Sequence, residues 1–111
     1  MNQGLRTVIY PVDDLANTKA LFGKLLGIEP YVDEAYYVGF RLGDQEIGLD
    51  PNGHKQGMTA YWHVVDIKEH LKALLDGGAQ ELEGVRDVGG GRLIASVKDA
   101  DGNIIGLLQS S

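Results

Sequence analysis

Few side chains in this sequence are equipped for chemistry. His63 lies in Thr59-Ala60-Tyr61-Trp62-His63-Val64-Val65, an alternating run that reads as a strand. An imidazole titrates near neutrality, so on an inward strand face it could hydrogen-bond a ligand or act as a general base. The ordinary alternative is a partly buried histidine satisfied by a neighbour. His54 falls in a polar linker, and His70 lies on a helical stretch beside Glu69 and Lys72; both read as solvated. No two histidines stand at metal-ligand spacing. There is no cysteine, so disulfides, thiolate catalysis and thiolate metal sites are excluded. Ser96, Ser110 and Ser111 have no partner base at useful spacing, which leaves a serine hydrolase without support. Gly89-Gly90-Gly91 lacks a following Lys-Ser or Lys-Thr and a strand-loop-helix context, so it is not a phosphate loop. It reads as a lid over a cavity or as a plain connection.

Aromatic surface is the other resource. Tyr31, Tyr36, Tyr37, Phe40 and Tyr61 suit a flat or conjugated ligand by stacking. Half of any alternating strand is core, however. In Tyr36 to Leu42, either Tyr36, Val38, Phe40 and Leu42 face inward, or Tyr37, Gly39 and Arg41 do. Arg41 could pair with an acidic ligand group, and a solvated edge arginine is the commoner case.

These residues need elements to position them. Arg6 to Val12 reads as a strand. Asp14 is placed to cap a helix whose apolar stripe is Leu15, Thr18, Phe22, Leu25 and Leu26, and Gly27 ends it. Tyr36 to Leu42 and Gln45 to Leu49 read as strands joined at Gly43-Asp44. Asp50 to Gly57 is a polar linker. Then the scheme repeats. Met58 to Val65 is a strand, and Asp66 with Glu69 forms a capping box. Ile67, Leu71, Leu74 and Leu75 make the second stripe, ended by Gly77-Gly78. Gln80 to Leu82 is a short strand, and Gly84 to Gly91 a glycine-rich loop. Leu93 to Lys98 and Asn103 to Leu108 are strands joined through Asp99-Ala100-Asp101-Gly102-Asn103.

The chain is thus written twice. Thr7, Val12, Asp14 and Leu15 recur as Thr59, Val64, Asp66 and Ile67 at one constant offset. The closing strands repeat as Glu46-Ile47-Gly48-Leu49 and Ile104-Ile105-Gly106-Leu107. Two copies of one supersecondary unit imply an α+β fold of two tandem βαβββ modules, about residues 4–50 and 58–109 of a single domain. The helices would cover one face of a curved mixed sheet, and the other face would enclose a cavity.

On Val12-x-Asp14-Leu15, Phe22-x-x-x-Leu26-Gly27, Val64-x-Asp66-Ile67 and Asp99-x-Asp101-Gly102-Asn103-x-Ile105, the chain resembles the vicinal oxygen chelate superfamily. That superfamily includes glyoxalase I, bleomycin-resistance proteins and extradiol dioxygenases. The resemblance spans essentially the whole chain. It implies that the metal ligands of the family's enzymes would fall at Thr7, Thr59, Gly48 and Gly106. Divalent sites of this kind use imidazole and carboxylate. A threonine hydroxyl is a poor ligand, and glycine has no side chain. The expectation is therefore no metal and no cofactor. With Thr7 and Thr59 on the concave side, Ile9, Pro11, Tyr61, His63 and Val65 join them. Val8, Tyr10, Val12, Ala60, Trp62 and Val64 then face the helices, which makes Tyr10 and Trp62 core.

A chain of 111 residues holds one core. Its 43% hydrophobic and 23% charged composition is that of a globular protein. A net charge of −6 argues against nucleic acid and against anionic membrane surfaces. No run is long and apolar enough for a membrane helix, and no signal peptide is recognisable, so the expected location is cytoplasmic. Acids such as Asp33, Glu34, Glu81, Glu83 and Asp87 read as a solvated surface. The leading expectation is a metal-independent binding protein of the bleomycin-resistance type. It would hold an apolar or aromatic small molecule and form a homodimer, as the resemblance implies. Its contacts would be Thr7, Ile9, Tyr36, Tyr37, Phe40, Gly48, Thr59, Tyr61, His63 and Gly106. The alternative is a glyoxalase- or dioxygenase-like lyase or isomerase, either metal-dependent or with His63 as base. A third possibility is an accessory module whose cavity is filled by its own side chains.

Overall fold

The computed structural model describes residues 2–52 and 57–110. His54 and half of the expected linker, residues 53–56, lie outside the described residues. Among the described residues there are eight strands and two helices in the order β1 (Asn2–Pro11), α1 (Leu15–Leu26), β2 (Val32–Glu34), β3 (Tyr37–Leu42), β4 (Gln45–Asp50), β5 (Thr59–Val64), α2 (Ile67–Asp76), β6 (Gln80–Asp87), β7 (Leu93–Lys98) and β8 (Ile104–Gln109). This is the α+β, tandem βαβββ order expected from the repeat. The chain divides into two compact units, Arg6–Thr59 and Ala60–Ser111 with Met1–Leu5. Among the described residues no helix is long and apolar enough to cross a membrane.

The first module is a mixed sheet in the order β2-β3-β4-β1, with β1 parallel to β4 and the other pairs antiparallel. Asp14 caps α1 by accepting a hydrogen bond from the Asn17 N–H at 3.1 Å. Gly27 ends the helix at φ 70°, a conformation that suits glycine because it has no Cβ. The core is Val38, Phe40 and Leu49, onto which α1 lays Leu15, Phe22 and Leu26. Leu25 is not part of that stripe, being 75% exposed. It sits about 80° around the helix from Leu15, too far to reach the sheet. β2 was not foreseen; three residues with two charges carry too little alternation to read as a strand.

The second module repeats the plan in the order β5-β8-β7-β6, with β5 parallel to β8. Asp66 caps α2 through the Glu69 N–H at 3.2 Å, and the Gln109 side-chain oxygen accepts from the Ile67 N–H at 2.8 Å. Ile67 and Leu71 are buried with Val64, Ala95, Val97 and Leu107, and Leu74 and Leu75 pack against them. β6 runs to Asp87, well past its expected end at Leu82, with register shifts around Glu83. Gly84 therefore belongs to a strand. The glycine-rich connection shortens to a closed turn in which Asp87 Oδ1 accepts from the Gly89 N–H at 2.7 Å and Arg92 N–H donates to the Gly89 carbonyl at 3.1 Å. Gly89, Gly90 and Gly91 all have φ between 63° and 93°, which explains three consecutive glycines without any ligand.

The β7–β8 connection is held by Asp99. Its Oδ1 accepts from the N–H groups of Asp101 at 2.9 Å and Asn103 at 2.8 Å, and its Oδ2 from Asn103 Nδ2 at 3.0 Å. The hydrogen bonds from Asn103 hold this carboxyl below its ordinary value.

Candidate functional site

Each sheet has a helix-covered face and an open one, and strand parity assigns every residue to a side. In the first module Tyr10, Val12, Val38, Phe40, Ile47 and Leu49 meet α1. Thr7 and Ile9 on β1, Tyr37, Gly39 and Arg41 on β3, and Glu46 and Gly48 on β4 therefore share the open face. Thr7 stands directly opposite Glu46, and Ile9 opposite Gly48, in the parallel β1–β4 pairing. Thr7 and Glu46 are both buried.

This face is already filled. A Cβ placed on Gly48 would collide with the Tyr37 hydroxyl, and would stand 2.6 Å from Ile9 Cδ1 and 2.7 Å from Tyr37 Cζ. The Tyr37 ring thus lies on the bare backbone of Gly48, and its hydroxyl donates to Glu46 Oε2 at 2.9 Å. Beside it the Tyr31 ring lies on Gly39, whose Cβ would be 3.0 Å from Tyr31 Cε1. The Arg41 guanidinium stacks over Tyr31 at 4.1 Å from the ring centre.

In the second module Val64, Ala95, Val97, Ile105 and Leu107 meet α2. The open face carries Tyr61 and His63 on β5, Gly106 and Leu108 on β8, and Ile94 and Ser96 on β7. Register aligns them in rows: Tyr61, Gly106, Ser96 and Glu83 cross the sheet in one, and His63, Leu108, Ile94 and Arg86 in the next. A Cβ on Gly106 would stand 2.6 Å from Tyr61 Cδ1 and 2.8 Å from the Ala60 carbonyl oxygen. Here too a tyrosine ring occupies the space above a glycine of the closing strand. Ser96 is 1% exposed, and its hydroxyl has no hydrogen-bond partner among the described residues. Thr59 is buried at the start of β5.

The structure places the expected contact residues unevenly. Thr7, Ile9, Tyr37 and Gly48 share one open face, and Tyr61, His63 and Gly106 share the other. Tyr36 does not join them. It precedes β3 in a turn and is 67% exposed, because β3 begins one residue later than read. Phe40 is also elsewhere. It is fully buried on the α1 side, with the Phe22 ring centre 6.5 Å away. The parity left open in the sequence thus falls to the Tyr37, Gly39, Arg41 set for the open face. Tyr10 packs on Phe22 at 5.0 Å, on the helix side as expected. Trp62 departs from its expected core position; it is 39% exposed and lies outside the cluster under α2. Its strand position faces the helix layer, but where α1 lays the Phe22 ring on Tyr10, α2 has Leu74, which packs against the buried cluster instead. His70 Nδ1 lies 2.8 Å from the Asp66 carbonyl oxygen, a contact within its own helix. Sequence reasoning missed Glu46 and Ser96. Glu46 was findable, since it lies two residues before Gly48 and must share its face. Ser96 was noted only as a nucleophile without a base.

The residues do not fit the metal that the fold family implies. Thr7 and Thr59 offer weak neutral oxygens, and at Gly48 and Gly106 a carboxylate side chain would have to displace a tyrosine. Among the described residues no cluster of three or more His, Cys, Asp or Glu could hold a metal ion. A cavity of about 540 Å³ does exist, but along α1, between Ala16, Ala20 and Gly23 and the Ile28-Glu29-Pro30 segment, away from the open face.

No protein-family model and no curated protein matches the sequence. Solved structures do. A hypothetical protein from Bacillus halodurans C-125 superposes with TM-score 0.81 at 15% identity, over 99% of this chain and 95% of that one. Methylmalonyl-CoA epimerase from Mycobacterium tuberculosis gives TM-score 0.79 at 19% identity, over 99% and 89%. A glyoxalase/bleomycin resistance protein/dioxygenase superfamily member from Vibrio splendidus 12B01 gives 0.73 at 17% identity, over the full length of both chains. At these identities the likeness concerns architecture, and on that ground the chain has the vicinal oxygen chelate fold, that of the glyoxalase/bleomycin resistance protein/dioxygenase superfamily.

Proposed function

We propose that this protein binds a small apolar or aromatic compound without a metal, sequestering it in the manner of a bleomycin-resistance protein. The observation that carries the reading is the pair of tyrosine rings seated on Gly48 and Gly106. They stand where the fold's metal enzymes would place carboxylates, so each of these faces carries an aromatic ring in place of a coordination shell. On the second module's face the half-buried His63 and Ile94 supply a polar and an apolar contact beside the Tyr61 ring. A cytoplasmic homodimer is part of the proposal, and sedimentation equilibrium at micromolar concentration tests its assembly.

The deciding experiment is elemental mass spectrometry after incubation with Ni, Zn, Co, Mn and Fe(II) and desalting, followed by a thermal-shift screen of aromatic natural products. Substoichiometric metal with at least one stabilising compound supports the reading. One tightly held metal per chain would sink it.

A second reading is favoured by one feature, the buried Glu46 carboxylate held by the Tyr37 hydroxyl beside Thr7. A positioned carboxylate of this kind can take a proton next to a carbonyl, as could His63. An isomerase of that type would exchange substrate protons into D2O. Exchange that Glu46→Gln or His63→Ala abolishes would establish it.

A further inference from the structure

The cavity along α1 has no part in the open faces. Its volume of about 540 Å³ is in the range of small-molecule sites. One wall is the helix, where Ala16, Ala20 and Gly23 leave the space nearly free of side chains over about 10 Å. The facing wall is Ile28-Glu29-Pro30. The fold does not call for glycine at position 23. Gly23 lies within α1 without a positive φ, and a Cβ on it would meet nothing nearer than the Ile28 carbonyl oxygen at 3.9 Å. Alanine would fit and would favour the helix, so glycine leaves the fold weaker and the cavity wider. The charge on this wall also runs against the rest of the molecule. The sequence carries a net charge of −6, yet α1 holds Lys19 and Lys24 and no acid. Lys19 is engaged by Asp33. Lys24 has no ion pair among the described residues, and one turn back on the helix it meets Ala20 where an acid would have held it.

We infer that this cavity binds a small monocarboxylic acid with an apolar body, its carboxylate on the Lys24 ammonium and its body along the Ala16 to Gly23 wall. The site is separate from the open faces and does not depend on the reading proposed for them. Lys24 is the cation left available to a ligand, since Lys19 already has its partner. A neutral apolar compound would leave that ammonium unused, and a cationic one would be repelled by it. Glu29 on the facing wall pairs with neither lysine among the described residues, and its carboxylate opposes a second negative charge on the ligand. Ile28 and Pro30 give that wall apolar surface for the body.

The test uses the full chain and two probes of nearly equal shape, 2-naphthoate and its neutral amide 2-naphthamide, titrated against backbone amide resonances. Naphthoate should move the resonances of Gly23, Gly27 and Ile28 and leave those of Tyr61, His63 and Gly106 in place. It should bind about fivefold more tightly than the amide, the value of one partly exposed ion pair. Lys24→Gln should bring that ratio to about one. Ala20→Glu, at an exposed helix position, supplies Lys24 with the missing partner and should do the same, with a melting temperature close to the parent's. Gly23→Ala should raise the melting temperature by roughly 2–5 °C. Naphthoate shifts centred on Tyr61 and His63 overturn the inference and support the reading of the open faces. A ratio that Lys24→Gln leaves unchanged, or a ratio of one in the parent, also overturns it, because Lys24 then does no more than offset the helix C-terminus. A lowered melting temperature in Gly23→Ala overturns it as well, since the fold itself would then require the glycine. If neither probe binds the parent at millimolar concentration, the inference falls, while the open-face reading is decided by its own screen.

Discussion

The two modules share a backbone plan and solve the same local problem differently. In the first, the glycine of the closing strand is covered by Tyr37, which comes from β3 and anchors its hydroxyl on Glu46. In the second, the matching glycine is covered by Tyr61 from β5, and the Ala60 carbonyl also crowds the position. The polar groups differ as well. Glu46 is paired, whereas the Ser96 hydroxyl has no partner among the described residues. The helices diverge too: α2 buries Ile67 and Leu71, while α1 has no buried residue. Duplication has kept the strand order and the helix caps, and has let the side chains on the open faces drift. Chemistry in this fold therefore has to be argued one module at a time.

The largest effect that would sharpen this comparison is expected at Phe40. Truncating it to alanine should cost about 3–5 kcal/mol, because it removes a fully buried ring from the first core. Tyr36→Ala should stay within about 0.5 kcal/mol, since that side chain is exposed. Denaturant melts of both variants check the assignment, and equal losses would mean that the strand parity is wrong.

The glycines come next. Gly106→Ala should cost roughly 1–3 kcal/mol and should exceed Gly48→Ala. At Gly106 a new methyl meets backbone, which cannot swing aside, whereas at Gly48 it meets only the side chains of Tyr37 and Ile9. A double-mutant cycle separates the two cases. Tyr37→Leu should recover most of the Gly48→Ala loss, and no single side-chain change should rescue Gly106→Ala. Equal costs at both sites would erase the asymmetry between the modules.

A smaller change tests the paired carboxylate. Tyr37→Phe removes the donor to buried Glu46 and should cost about 1–2 kcal/mol. Ser96→Ala, by contrast, should cost nothing. Urea midpoints would show this opposite response to losing a hydroxyl.

The smallest effect concerns acid. The Asp99 carboxyl is held below 3.8 by hydrogen bonds from Asn103. A depressed folded-state value means that its contribution is present above the unfolded value and is lost as pH falls through the folded one. Stability should therefore drop more steeply below about pH 3.8 in the parent than in Asp99→Asn, and unfolding curves taken at pH 5 and pH 3 compare the slopes. The first module has no matching aspartate turn, since its β3–β4 hairpin closes at Gly43-Asp44.

What the sequence determined by itself was whatever depends on near neighbours. Asp14 and Asp66 cap helices because a carboxylate three residues upstream reaches a free N–H without help from the fold. Asp99 builds its own turn in the same way. The repeat from Thr7 to Thr59 carried the module order because two similar sequences adopt similar supersecondary units. Tertiary structure alone decided the open faces. Whether Tyr37 or Phe40 met α1 depended on which side of β3 the helix covered, and both sides were apolar enough to serve. Trp62 looked like core and is 39% exposed, since α2 has Leu74 where α1 lays the Phe22 ring on Tyr10. The Tyr61 ring on Gly106 arises from the register of β5 and β8, strands distant in sequence, and the Tyr37 ring on Gly48 from the side of the β3–β4 hairpin that α1 leaves uncovered. Such contacts depend on distances across the sheet, and no local pattern of residue types encodes them.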